Sequence, residues 1–317
     1  MTPRRQARIS DSKRAAGSQR VADAIHAQQL NLAATASRFA EASVADVHQG
    51  RVAARRLRSL LKTFAPLLDE RWARLYRIDL RSLARTFAAV READVLSDTL
   101  LDLARPDAAL KATEIQRLAV ALEDQRVAAR GNLRRHLGEP GWRALAAALA
   151  ARVDEPPRLV RTDASMTEVL KLADRSWRKA TRLLEKRPAT ATALHRLRLA
   201  LKHCRYALEA VADIEPTAAS RLLRRLRVAQ DRLGTHHDTV AALHWVALNE
   251  RTLGGTAASR LTRLLEAVEK QRREVAADRS ASVLPAYRRW AAAIRVVTKA
   301  ARSGPALRGP SRPSSVR

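Results

Sequence analysis

The sequence predicts an all-α protein, on three observations. Hydrophobic residues make up 46% of the 317 positions but aromatics only 3%, so the core must be built mainly from Leu, Ala and Val. Glycine numbers only 10. Leu, Ala, Arg and Glu favour helix, and few segments alternate with the period of two that strands require. The length suits one large domain or two ordinary ones.

Along the chain, residues 1–18 are basic and polar, with Pro3 and Gly17, and are expected to be a disordered lead. Residues 303–317 are rich in Pro, Gly, Ser and Arg and are expected to form a flexible basic tail. Between them the helical pattern is nearly continuous. Breaks are expected near Pro66, Arg91, Pro106, Pro140, Pro156-Pro157, Pro188, Pro216, Gly234, Gly254-Gly255 and Pro285, giving about a dozen helices. Pro156-Pro157 lies near the midpoint and divides residues 19–302 into halves, 19–155 and 160–302.

The formal charge is +28, from 60 Lys+Arg against 32 Asp+Glu. Such an excess repels itself and points to an anionic partner: nucleic acid, a membrane surface or a free polyanion. Most of the cations are Arg, whose planar fork matches phosphate oxygens. A GC-rich coding bias would also enrich arginine, but it does not dictate where the charges sit. The N-terminus lacks the apolar stretch of a secretory signal, and no apolar run is long enough to span a bilayer. The single cysteine, Cys204, permits no intrachain disulfide, which fits a cytoplasmic setting.

The two halves repeat one another. His48-Gln-Gly-Arg51-Val-Ala-Ala-Arg55-Arg56-Leu-Arg58 returns as His195-Arg-Leu-Arg198-Leu-Ala-Leu-Lys202-His203-Cys-Arg205, at an offset of 195 − 48 = 147. Asp94 returns as Asp238, at 238 − 94 = 144. Two landmarks in one order imply a duplicated helical bundle. On a helical projection His48, Arg51, Arg55, Arg58 and Lys62 fall within roughly 80°, with Leu57, Leu60, Leu61 and Phe64 opposite. His195, Arg198, Lys202 and Arg205 likewise share a stripe, opposite Leu197, Leu201, Cys204, Leu208 and Val211. Most charged helical stripes are solvated faces, but those mix signs to gain i,i+4 pairs. No acid interrupts His48 to Lys62. Two such ridges facing one another would enclose a basic channel able to follow a row of phosphates.

Asp94 and Asp238 either cap a helix or hold a nearby Arg or His side chain in place. His48 and His195 bind an anion when protonated or orient a neighbour when neutral. Arg81, Arg85, Arg91, Arg224 and Arg225, on the helices after each ridge, together with His203, Arg205 and Tyr206, complete the candidate set. Neither a P-loop nor a metal-ligand spacing is present, and His236-His237-Asp238 diverges by about 100° per residue on a helix. No catalytic residue, metal or cofactor is expected.

At the two basic helices and the two Asp-bearing segments the sequence resembles the CHAD family, the conserved-histidine α-helical domains, over about residues 20–300. The resemblance implies two pseudo-symmetric helical bundles around a central basic cavity, binding of inorganic polyphosphate, and residence on polyphosphate granules. The chain departs from the family pattern in three places. The usual Arg-Asp reads Arg91-Glu92, His203 stands where a basic residue is usual, and Glu209 takes the place equivalent to Lys62. The first copy is therefore expected to contribute more affinity. The Glu-x-Glu-x-Lys signature of the triphosphate-processing CYTH domain is absent.

Nucleic acid is the alternative partner. Single-strand binders stack bases on aromatics, and the duplicated helices hold only Phe64 and Tyr206. Duplex DNA needs an outward convex surface rather than a channel. The basic tail would add only weak nonspecific binding. The sequence sets no oligomeric state.

Overall fold

The computed structural model describes residues 3–36 and 44–302. Its helices are α1 (Pro3–Ala36), α2 (Val44–Thr63), α3 (Glu70–Thr86), α4 (Ala88–Ala104), α5 (Ala112–Gly138), α6 (Pro140–Asp154), α7 (Met166–Arg175), α8 (Arg178–Glu185), α9 (Ala191–Glu209), α10 (Pro216–Leu248), α11 (Glu250–Leu253), α12 (Gly255–Ala281) and α13 (Val283–Arg302). Among the described residues there is no strand, only an isolated bridge between Leu68 and Leu159. The all-α expectation holds.

Local chemistry sets many of the boundaries. Asp69 opens α3 by accepting from the Trp72 amide at 2.6 Å. Ser165 and Glu168 form a capping box at α7. Pro140 and Pro216 stand in the first turns of α6 and α10, where a missing N–H costs nothing. Gly254 holds φ +85° at the junction of α11 and α12, a conformation that favours glycine.

Three expected boundaries are corrected. Arg91 lies inside α4 and Gly234 inside α10; each is flanked by residues whose apolar faces continue the helix into the core. Pro285 sits in the first turn of α13, and the break falls at Ser282. Helix α1 starts at Pro3, within the stretch expected to be a lead. Its Gly17 is buried so closely against Ala164 and Ser165 that an added Cβ would lie 2.5 Å from their backbone. Ser18 Oγ then donates to the Arg161 carbonyl at 2.8 Å and accepts from the Ala164 amide at 2.9 Å. The tail expected over 303–317 lies outside the described residues.

Pro156-Pro157 falls in the loop between α6 and α7. That loop is tied to the first half, with the Asp69 amide on the Arg158 carbonyl at 2.9 Å and the Val160 amide on the Leu67 carbonyl at 3.0 Å. One large core cluster takes side chains from both halves, Leu57 and Leu61 alongside Leu197 and Leu201. A smaller core joins the ends of α4, α5, α10 and α12 through Leu100, Leu122, Val246 and Leu265. Helix α10 enters both.

A candidate polyanion cleft

Burial sets the rotation of the two basic helices. Leu57, Leu60 and Leu61 of α2 and Phe64 just after it are buried, as are Leu197, Leu201, Cys204 and Leu208 of α9 and Val211 beyond its end. The opposite stripes are thereby turned to a cleft of about 1000 Å³. His48, Arg51, Arg55, Arg58 and Lys62 line it from α2, and His195, Arg198, Lys202, His203 and Tyr206 from α9. Arg81, Arg91 and Asp238 join them from α3, α4 and α10.

The cleft also contains residues that the sequence reading missed. Arg74 and Arg77 make α3 a third basic wall, and Glu92 and His237 complete the lining of α4 and α10. In all, ten Arg and Lys residues line the cleft against two carboxylates. Among the described residues none of these ten cations forms an ion pair. Arg51 is steadied by donating to the Ala84 carbonyl at 3.2 Å. Arginines 81, 77 and 85 and Arg55 all act on Arg58, whose affinity for its proton is lowered first by burial and then by their repulsion.

Other candidates lie outside the lining. Arg56 and Arg205 both stand over the Tyr206 ring, at 5.8 and 5.1 Å from its centre. Both reach Glu209, at 3.6 and 3.4 Å. This explains the acid at position 209: it holds two arginines at the α2–α9 crossing. Tyr206 itself is 3% exposed. Arg85, Arg224 and Arg225 are exposed and outside the lining, Arg85 close enough to act on Arg58.

The two aspartates have separate roles, and neither caps a helix. Asp94, buried in α4, accepts from Arg126 at 3.2 Å and Arg130 at 3.0 Å. Asp238 lies in the body of α10 and faces the cleft, where Arg198, Arg91 and Lys202 act on it. Burial nonetheless pushes its carboxyl above the usual range.

Burial and neighbouring cations disfavour protonation of the four histidines on the lining. His203 is lowered to about 4 by burial and by Lys62. Its Nδ1 lies 2.6 Å from Ser59 Oγ, across the helix crossing. His237 is also lowered to about 4, by burial and by Arg198. Its Nδ1 is 3.2 Å from that of His195, itself lowered by burial and by Arg198 and Lys202. Burial, then Arg91, lowers His48. Lys202 is pushed down to about 7 by burial and by the neighbouring Arg198, Arg55 and Arg205. The site thus stores repulsion that an anion relieves.

Among the described residues no group of three or more His, Cys, Asp and Glu side chains is placed to hold a metal ion, and no helix is long and apolar enough to cross a membrane.

The family model described as "CHAD domain" matches residues 19–247. PptA from Streptomyces chartreusis is similar in structure, with a TM-score of 0.70 and 22% identity over 85% of this chain and 98% of that one. The CHAD domain from the plant Ricinus communis is similar at a TM-score of 0.65 and 22% identity, over 84% of this chain and 91% of that one. No protein of curated function matches.

Proposed function

The chain belongs to the CHAD domain family, and from that premise we propose that it binds inorganic polyphosphate in the basic cleft. It acts there as a cytoplasmic binding module rather than an enzyme, and it associates with polyphosphate granules. The observation that carries the reading is the convergence of ten Arg and Lys side chains from α2, α3, α4 and α9 on one cleft with only two acids. Cations held together without partners are stabilised by a dense anion. The family resemblance supplies the identity of that anion.

Nucleic acid is the less favoured partner. The one Phe, Tyr or Trp on the lining, Tyr206, is nearly buried and already in contact with two guanidiniums. The test is a competition titration of long-chain polyphosphate, single-stranded DNA and duplex DNA at matched phosphate and salt. Polyphosphate is expected to bind most tightly, and equal affinities would defeat the proposal.

A further inference from the structure

The cleft is not uniform from end to end. Along the end of α2 and the length of α3, Lys62, Arg74 and Arg81 are exposed and no acid is among the lining residues. Where α4 meets α10 the character changes. Val95, Leu96 and Ala241 form the wall there, and the smaller core lies behind it, with Leu96 and Ala242 both part of that core. On this wall stand Asp238 and the His195–His237 pair.

These groups suit an internal phosphate poorly. An internal polyphosphate unit offers only acceptor oxygens, and a carboxylate repels them. Yet Asp238 has no hydrogen-bond or ion-pair partner among the described residues, although Arg198, Arg91 and Lys202 are near enough to act on it. Its counterpart Asp94 is paired, with Arg126 and Arg130 both on its Oδ1. The histidine pair adds a second acceptor beside one donor. With one neutral ring donating from Nδ1 to the other, the donor ring's Nε2 is left as an acceptor and the other ring's Nε2 carries its N–H. A terminal phosphate differs from an internal one in the needed way, because its last ionisation falls near neutrality, at about 6, and below that it carries a hydroxyl.

We infer that the α4–α10 wall recognises the end of the polyphosphate chain, the terminal P–OH donating to Asp238 while its other oxygens accept from Arg198 and Arg91, and that the polymer leaves over the arginines of α3. Asp238 is then a specificity residue. It rejects mid-chain phosphate by repulsion and accepts the terminus through a charge-assisted hydrogen bond. This inference rests on the polyphosphate reading above.

The test compares two polymers of equal length, one with free termini and one with both termini blocked as methyl esters, titrated near pH 6 against the intact chain and Asp238→Asn. The wild-type protein is expected to prefer the free-ended polymer by about tenfold or more, the worth of one charge-assisted hydrogen bond. Asp238→Asn is expected to lose that preference by weakening the free-ended complex. The sign is decisive, since removing a negative charge from a merely compensating position would strengthen both complexes. Equal binding of the two polymers, or tighter binding of both by the variant, overturns end recognition and leaves the polyphosphate reading intact. If neither polymer binds, both readings fall.

Discussion

Ser59 and His203 meet where the two basic helices cross, hydroxyl to Nδ1 at 2.6 Å. A second contact at the crossing sets Arg56 over Tyr206. The two contacts share a numerical relation: 203 − 56 = 147 and 206 − 59 = 147, the same offset that relates the two sequence copies. The Ser59–His203 contact keeps a neutral imidazole satisfied under a crowd of cations.

Removing either partner leaves the other buried and short of a hydrogen bond. Ser59→Ala and His203→Ala are each expected to cost about 1–3 kcal/mol in denaturant unfolding. Together they should cost less than the sum. Strict additivity in the double-mutant cycle would show the contact to be idle.

Asp94 is expected to affect stability and not binding. Asp94→Ala leaves Arg130 unpaired and Arg126 with Glu123 alone, beside a buried position. Because those arginines are about 30% exposed, the loss should fall near the low end for a broken buried pair, about 3 kcal/mol. Polyphosphate affinity at temperatures where the variant is folded should be unchanged, and a tenfold loss would move Asp94 into the binding machinery.

Charge reversal separates the cleft from the rest of the basic surface. Arg55→Glu and Arg77→Glu should each weaken polyphosphate binding by about tenfold or more at low salt, and reduce the salt dependence. Arg225→Glu, outside the lining, should change affinity by less than about threefold. Equal losses at all three positions would mean that net charge, rather than the cleft, does the binding.

Lys202 links binding to pH. Free of ligand, it sheds its proton as pH rises through about 7. A polyanion beside it holds the proton on. Affinity should therefore be full below that value and fall above it, by at most about tenfold per pH unit from this one group. Calorimetry at pH 8 in buffers of different ionisation enthalpy should detect proton uptake on binding, lost in Lys202→Met. Uptake that persists in the variant would assign the proton elsewhere.

Much of this site was legible in the sequence because α2 and α9 each separate cations from leucines at helical spacing, so burying Leu57 or Leu201 aims Arg55 or Lys202. The third wall was hidden. Arg74 and Arg77 share α3 with Glu70 and Asp79 and read locally as a solvated face; only the packing of α3 against α2 gives them a place in the cleft. Arg56 went the other way. It sits one residue from Arg55, about 100° around the helix, and which neighbour waits there is a matter of tertiary structure. The two aspartates were recognisable as a pair, but not as one engaged carboxylate and one open one. Gly17 looked like part of a loose lead because the surface that needs its missing side chain lies near residue 164.

Helix α10 is 33 residues long, about 50 Å of unbroken backbone ladder. Leu222, Leu226 and Leu233 anchor it in the large core, and Ala242 and Val246 in the small one. His237 and Asp238 lie between those anchorages. Neither core can melt alone without fraying the rod that the other grips. The molecule should therefore unfold in one calorimetric transition, and a ligand seated at the middle of the rod should raise the melting temperature of both ends together.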